Sequence, residues 1–519
     1  MRDRFQAALR VLAVVTASML AACTTFGPAR TPPSTPSPDH YSIAPMSEQV
    51  PSSTGSAQQL ALGAEPVPHW WSAFGSPQLD GLVDEALDHN QSLTAAKANL
   101  RAAREQARGQ VGENLYPHVD AGFTPSRQRG LSIPGLPQQT FLYNVFAAEV
   151  QGGWTLDFFG ASLLADRALL GQVRTQAYEL EVQRRAIAFN VVLAAINAAS
   201  LRAQIDTVAA YADAEEHRAR QLRERFELGS AARLEMLSAE AEAAGAQRAL
   251  PPLRRQLLAV QHAEAVLLGR TPDAAPAPLV LDELRLPARL PVAVPSALLH
   301  QRPDILAAEA AVRAGADAAG AASASLYPSL TLSAAYGRGG FDWATFASPA
   351  GAIWGIGASL TQPLFHGGAL RARQRQYQAA YDAAVAQYRQ TVLTAFESVA
   401  DTLVSLEEDA KELEQTQRST EALKEIQQET EGRYAQGAES MYAVLAARSQ
   451  YQNAYLAYVA ARATRLSDSA ALLDAMGNPR PDRAMMVACE GSGATPDLHA
   501  SPQMCSSTQA LMHDLASRR

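Results

Sequence analysis

Residues 187–212 read IAFNVVLAAINAASLRAQIDTVAAYA. Apolar side chains fall at Ile187, Val191, Ala194, Ala198, Leu201, Ile205, Val208 and Ala212, in steps that alternate between four and three. That alternation is the seam of a coiled coil. Nothing nearby ends the helix it predicts. From Gly160 to Gly229 there is no proline and, after Gly171, no interior glycine. A helix over Ala161 to Phe226 has 66 residues and would run roughly 100 Å at about 1.5 Å per residue. A globular helix averages about a dozen residues. A second stretch repeats the pattern. Ala369 to Tyr434 lacks proline and, apart from Gly432, glycine, and its seam reads Val399, Leu403, Leu406, Ala410 and Leu413. Two rods of equal length predict a protein that spans a distance.

Other events recur at the same interval. Leu115-Tyr116-Pro117 returns as Leu326-Tyr327-Pro328, and Arg225-Phe226-Glu227-Leu228-Gly229 is echoed 208 residues on by Arg433-Tyr434-Ala435-Gln436-Gly437. Duplication on this scale predicts two similar halves. The organisation read from the chain is residues 1–22, 23–68, 69–270, 271–301, 302–477 and 478–519. These are, in order, a signal peptide, a Pro/Ser-rich tether, a first repeat, a Pro-rich linker, a second repeat and a C-terminal tail.

Each half carries two alternating stretches before its long helix. Val119, Ala121 and Phe123 alternate with His118, Asp120, Gly122 and Thr124, and Ala148 to Asp157 alternates likewise. In the second half, Ser329 to Tyr336 and Ile353 to Thr361 do the same. Period two with one apolar and one polar face predicts strands. A length of about 10 residues suits a tilted transmembrane strand. Pro125 to Leu142 and Gly337 to Gly351, rich in Gly and Pro, are expected to be external loops. Four strands cannot close a barrel, and an open edge in lipid leaves backbone groups unpaired at several kcal/mol each. Several copies of the chain would therefore have to close one together.

The N-terminus carries Arg2, Arg4 and Arg10 before an apolar run from Val11 to Ala22. That is a secretory signal, too short to span a bilayer. It ends in Leu20-Ala21-Ala22-Cys23, which resembles the lipobox of bacterial lipoproteins. The resemblance implies a covalent lipid on Cys23, and Thr24 in place of Asp implies the outer membrane. With Cys23 lipidated, Cys489 and Cys505 are the remaining thiols of the three cysteines. They either pair, as an oxidising compartment favours, or stay free. A net charge of −8 argues against nucleic acid as a partner. No phosphate-cradling loop, HExxH, nucleophile elbow or Cys/His cluster is present, so no enzyme, metal or cofactor is expected beyond the lipid. Trp70, Trp71 and Trp154 read as core or interfacial anchors.

Together these pieces resemble the outer-membrane factor family, the channels of tripartite efflux pumps and type I secretion systems. The motifs that carry the resemblance are Leu20 to Cys23, His69 to Leu79, Tyr116-Pro117, Trp154 to Gly160, Leu267-Leu268-Gly269, Arg302-Pro303-Asp304-Ile305, Tyr327-Pro328, Gln362-Pro363-Leu364-Phe365 and the two Arg-aromatic-x-x-Gly turns. The closest branch is the lipoprotein channels of resistance-nodulation-division efflux. The fold implied is mainly α with a small β part. It is a long coiled-coil α-barrel joined to a transmembrane β-barrel of four strands per chain, with a two-fold internal repeat. The resemblance also implies a homotrimer, a periplasmic adaptor, an inner-membrane transporter and contact with outer-membrane lipid.

The family's periplasmic tip closes by helices packing inward, often through carboxylates just after the second turn. Here those positions are Ala443 and Ala446. The candidates that remain for the gate are Tyr442, Arg448 and Glu439 on one turn, with Arg233 and Glu235 on the other. Tyr442 is expected to plug the axis and Arg448 to reach Glu235 or Glu240. The functional expectation is an outer channel exporting small molecules. The alternatives are the outer channel of a type I protein secretion system and a periplasmic coiled-coil adaptor or scaffold.

Overall fold

The computed structural model describes residues 26–34, 41, 49–50, 58–131 and 140–477. Cys23, Cys489 and Cys505 lie outside them. Two antiparallel helical hairpins form the bulk of the described chain. The first pairs α3 (Ala161–Glu227) with α4 (Arg233–Leu267), and the second pairs α7 (Ala369–Ala435) with α8 (Met441–Ala475). Helices α3 and α7 have 67 residues each, and α4 and α8 have 35 each. Further helices include α1 (Pro77–His89), α2 (Gln91–Leu115), α5 (Pro303–Ala324) and the short α6 (Trp343–Ala347).

The coiled-coil seam is the core of these hairpins. Ala198, Leu201, Ile205, Val208 and Ala212 of α3 pack on Ala246, Leu250 and Leu257 of α4. All five expected seam positions of α7 are buried. Ala194 departs from the expectation: it is half-buried, while its neighbour Ala195 is buried. Here α3 buries Ala188, Val192, Ala195 and Ala199 as well, because α2, α5 and α8 also pack on it. One stripe cannot describe a helix enclosed from several sides.

The strands form a four-stranded antiparallel sheet in the order β3 (His118–Leu131), β4 (Thr140–Leu156), β6 (Ser329–Gly340), β7 (Ala352–Thr361). Pairing of β4 with β6, from Leu156↔Leu330 to Phe146↔Gly340, joins the two halves. The strands run further than the sequence suggested. The first expected loop is strand out to Leu131 and again from Thr140, and the second is strand to Gly340 followed by α6. Pro125 is accommodated because β3 is an edge strand, where a missing ladder donor is tolerated.

A second, smaller sheet sits beside the hairpins: β1 (Gln49–Val50), β2 (Gln58–Leu62) and β5 (Arg289–Val292). It draws one strand from the linker and two from the segment expected to be an extended tether. Residues 26–34 also dock. Phe26 lies 4.9 Å from Tyr327 and 6.4 Å from Phe159, ring to ring. Gly27 lies against Gly320, where a Cβ would meet the Gly320 Cα at 2.7 Å. Arg30 pairs with the buried Asp317 at 3.0 Å. Apolar contact and a buried carboxylate, neither visible in a Pro/Ser-rich composition, hold this segment.

Candidate functional site at the hairpin turns

Both hairpins turn by the same device. Ser230 N donates to Arg225 O and Gly229 N to Phe226 O; Ala438 N donates to Arg433 O and Gly437 N to Tyr434 O. Gly229 and Gly437 hold φ of 74° and 75°, the left-handed region that favours glycine at a helix C-terminus. The turns are followed by different caps. The Ser440 hydroxyl accepts from Ala443 N at 3.3 Å, whereas Ala232 has no side-chain oxygen and the Glu235 carboxylate accepts from Ala232 N instead. Behind them, Ala219, Leu222, Ala239, Ala243, Met441, Val444 and Leu445 form one apolar cluster spanning both hairpins.

Directly above that cluster lies a buried ionic network. Continued past Ala212, the α3 seam reaches Glu215, Ala219 and Leu222. Glu215 is fully buried at 0% exposure. Arg448 Nη1 of α8 donates to its Oε1 at 3.0 Å, and Arg218 Nη1 stands 3.8 Å away. Arg448 Nε also donates to Glu431 of α7. One guanidinium thus ties three helices from two hairpins. Desolvation pushes the Glu431 carboxyl up, but the Gln427 amide and Arg448 outweigh it and hold the group below its usual range. Desolvation lowers the Arg218 guanidinium, with Glu215 opposing. Tyr211 donates to Glu242 at 2.6 Å just above. A cavity of about 260 Å³ opens beside the network, lined by Arg218, Arg225, Glu431, Tyr434, Met441 and Arg448 among others.

The structure brings together only one of the residues singled out in the sequence. Arg448 is in the network, but its partners are Glu215 and Glu431, not Glu235 or Glu240. Glu235 is committed to the cap, and Glu240 pairs with Arg223 at 2.6 Å. Tyr442 is 78% exposed within the chain, since Met441, Val444 and Leu445 occupy the inward face. Glu439 sits 3.5 Å from Arg433 and receives Ser440 N. Arg233 is exposed and makes no ion pair among the described residues. Glu215, Arg218 and Glu431 were missed. The legible signal for Glu215 was a carboxylate standing on the seam itself.

A second polar cluster lies farther along the second hairpin. Arg465, 1% exposed, donates to Leu406 O and Gln58 Oε1. Beside it stand two like charges, Asp409 of α7 and Asp468 of α8, and Asp409 Oδ2 is buried without a hydrogen-bond partner among the described residues. Desolvation first, then Asp468, raises Asp409 to about 7.

With hairpins, sheet and turns in place, the chain can be set against known proteins. The sequence profile of a family described as outer membrane efflux protein matches residues 82–270 and 294–478. The chain belongs to this family. Pyoverdine export outer membrane protein OpmQ of Pseudomonas aeruginosa is 30% identical over 470 residues, covering 89% of this chain and 96% of that protein. Probable efflux pump outer membrane protein TtgC of Pseudomonas putida is 28% identical over 474 residues, covering 89% and 94%. Among solved structures, the outer membrane protein VceC from Vibrio cholerae superposes with a TM-score of 0.72 at 26% identity, covering 80% of this chain and 99% of that one. The outer-membrane channel OprN gives 0.76 at 24% identity, covering 87% and 99%, and bears on the fold alone. As an outer membrane efflux protein, the chain is a transport component of the outer membrane and not an enzyme.

Proposed function

We propose that three copies of this outer membrane efflux protein close a channel that exports small molecules. An inner-membrane transporter and a periplasmic adaptor would supply energy and connection. The observation that carries the reading is the four-stranded sheet. Among the described residues its edge strands β3 and β7 pair with nothing further, and one face carries no charge along the half of every strand nearer the helices. Such a sheet is stable in lipid only when other copies complete the ladder. Three copies supply twelve strands, above the lower limit of about eight for a membrane barrel. Export of small molecules follows the names of its relatives, one of which speaks of pyoverdine export and another of an efflux pump.

The docking of Phe26 supports lipidation at Cys23. Phe26 packs at the junction where β4 leads into α3 and α5 leads into β6. Cys23 is three residues away, within about 11 Å of that junction at the reach of an extended chain. A lipid there would enter the inner face of the same membrane that the sheet crosses. At the opposite end of the hairpins, Leu228 and Leu234 stand exposed at 83% and 75% beside the first turn. They suit apolar contact with an adaptor. The ionic network around Glu215 is the element that holds the two hairpins together in the closed state.

Native mass spectrometry in mild detergent, followed by planar-bilayer recording, tests this reading. A trimer that conducts is expected. A stable monomer that keeps its strand signal refutes it.

A further inference from the structure

The register of the four-stranded sheet sorts its side chains into two faces without interruption. On one face lie Asp120, Thr124, Glu149, Gln151, Thr331 and Ser333 with their register mates. On the other, in register from strand to strand, lie Val119, Phe123, Phe146, Val150, Leu332, Tyr336, Trp354 and Ile356. No carboxylate stands on this apolar face among the described strand residues. Three charges do, and all are arginines: Arg127, Arg129 and Arg338. All three lie toward the end of the sheet remote from the helices, beyond or level with Phe123.

Helix α6 folds over this same end and the same face. Trp343 stands edge-on to Phe146 at 5.7 Å, and Phe346 lies 5.9 Å from Phe123. Asp342 caps α6, accepting from Thr345 N at 2.7 Å, and makes no ion pair with the arginines among the described residues. Arg338 Nη1 donates to Ala347 O at 2.7 Å, which fixes its guanidinium at the C-terminus of α6. Arg129 donates only Nε, to Thr140, among the described residues, and Arg127 has no partner among them. Guanidinium donors without a partner among the described residues therefore crown an aromatic collar.

We propose that this rim is a docking site for the phosphorylated glycolipid of the outer leaflet. The proposal rests on the reading of the sheet as part of a closed barrel in lipid. Guanidinium groups match phosphate geometry with paired donors. Charges of one sign on a lipid-facing surface are tolerated near the interface and costly at mid-depth, which agrees with their confinement to the outer end. Aromatic rings at headgroup depth supply the apolar and sugar-stacking surface. Arg127 on β3 lies two strands from Arg338 on β6 and four residues further along, about 10 Å across and about 14 Å along, so their backbones are about 17 Å apart and their long side chains can address the two ends of one bisphosphorylated headgroup.

The test uses the full-length protein, stripped of bound lipid in mild detergent and titrated with purified bisphosphorylated lipid A or its dephosphorylated form. Binding is read by native mass spectrometry. The parent should bind the phosphorylated form at least about tenfold more tightly. The triple variant Arg127→Ala, Arg129→Ala, Arg338→Ala should lose that preference, and the triple lysine variant should keep most of it. Arg127→Ala alone, at an exposed and unpartnered site, should lose about threefold even if the triple variant misassembles. Equal binding of the two lipid forms by the parent overturns the proposal, as does an undiminished preference in the alanine variants. Conductance in phosphatidylcholine bilayers without lipid A reads the barrel separately. A parent that conducts but ignores the phosphates refutes only the docking site; a parent that does not conduct refutes the channel reading as well.

Discussion

Removing the Arg448 guanidinium isolates the Glu215 carboxylate in the apolar interior between the hairpins. Glu215 is fully buried, and its second oxygen already lacks a hydrogen-bond partner among the described residues. Breaking one side of a buried ion pair costs about 3–5 kcal/mol. Arg218 remains 3.8 Å away, so Arg448→Met should fall at the low end, about 3 kcal/mol per chain. If the contact exists only while the hairpins are closed, that is about a hundredfold shift toward the open tip. The exposed pair Arg223–Glu240 is the control, because a surface pair contributes about 0–1 kcal/mol, and Arg223→Ala should change little. The assay is open probability in planar bilayers together with the thermal midpoint. Arg448→Met should open more often and melt lower. Glu215→Gln added to Arg448→Met should restore part of the midpoint, since the fully buried carboxylate is then neutral and only Arg218 and the partly exposed Glu431 keep their charges. Parent-like conductance and melting in Arg448→Met would refute the reasoning. So would a double variant less stable than either single one.

Three further outcomes follow from the same structure. Ala198, at 0% exposure in the α3–α4 seam, should tolerate no bulk: Ala198→Phe should lower the melting midpoint by an amount corresponding to about 1–3 kcal/mol, and unchanged melting removes the seam assignment. Asp409, raised to about 7, binds a proton more readily folded than unfolded. Its contribution is therefore full below its ordinary carboxylate range and lost as pH rises through about 7. The contribution of Asp409 to the melting midpoint should fall between about pH 4 and pH 7, and Asp409→Asn should flatten that slope; an identical slope in the variant excludes the group. Tyr442, exposed on the single chain, should raise single-channel conductance when changed to Ala if its ring meets its symmetry mates, and parent-like conductance would leave it as helix surface.

How much was legible depends on the range of the interaction. The rods, their seams and the duplication are local and periodic. A helix repeats every 3.6 residues and a strand every two, so burial on one side prints itself into the chain. Val191, Val399 and the alternation from Val119 to Phe123 could therefore be read directly. Glycines at 229 and 437 marked the turns for the same reason: backbone sterics act on one residue at a time. Strand ends were misread at Pro125 because an edge strand forgives a missing donor, and edges exist only once the sheet is assembled.

Arg448 shows where sequence stops. Its position six residues beyond Tyr442 said that it points elsewhere, but not at what. Its partners lie 17 and 233 residues away, on helices brought alongside by two separate hairpins. Many carboxylates lie near enough along the chain; only the packed arrangement shows that Glu235 serves a cap, Glu240 serves Arg223, and Glu215 is buried and waiting. The docking of Phe26 between Phe159 and Tyr327 is of the same kind. Periodic burial is written residue by residue, whereas the pairing of charges and the seating of a strap depend on which surfaces meet, and only the tertiary structure decides that.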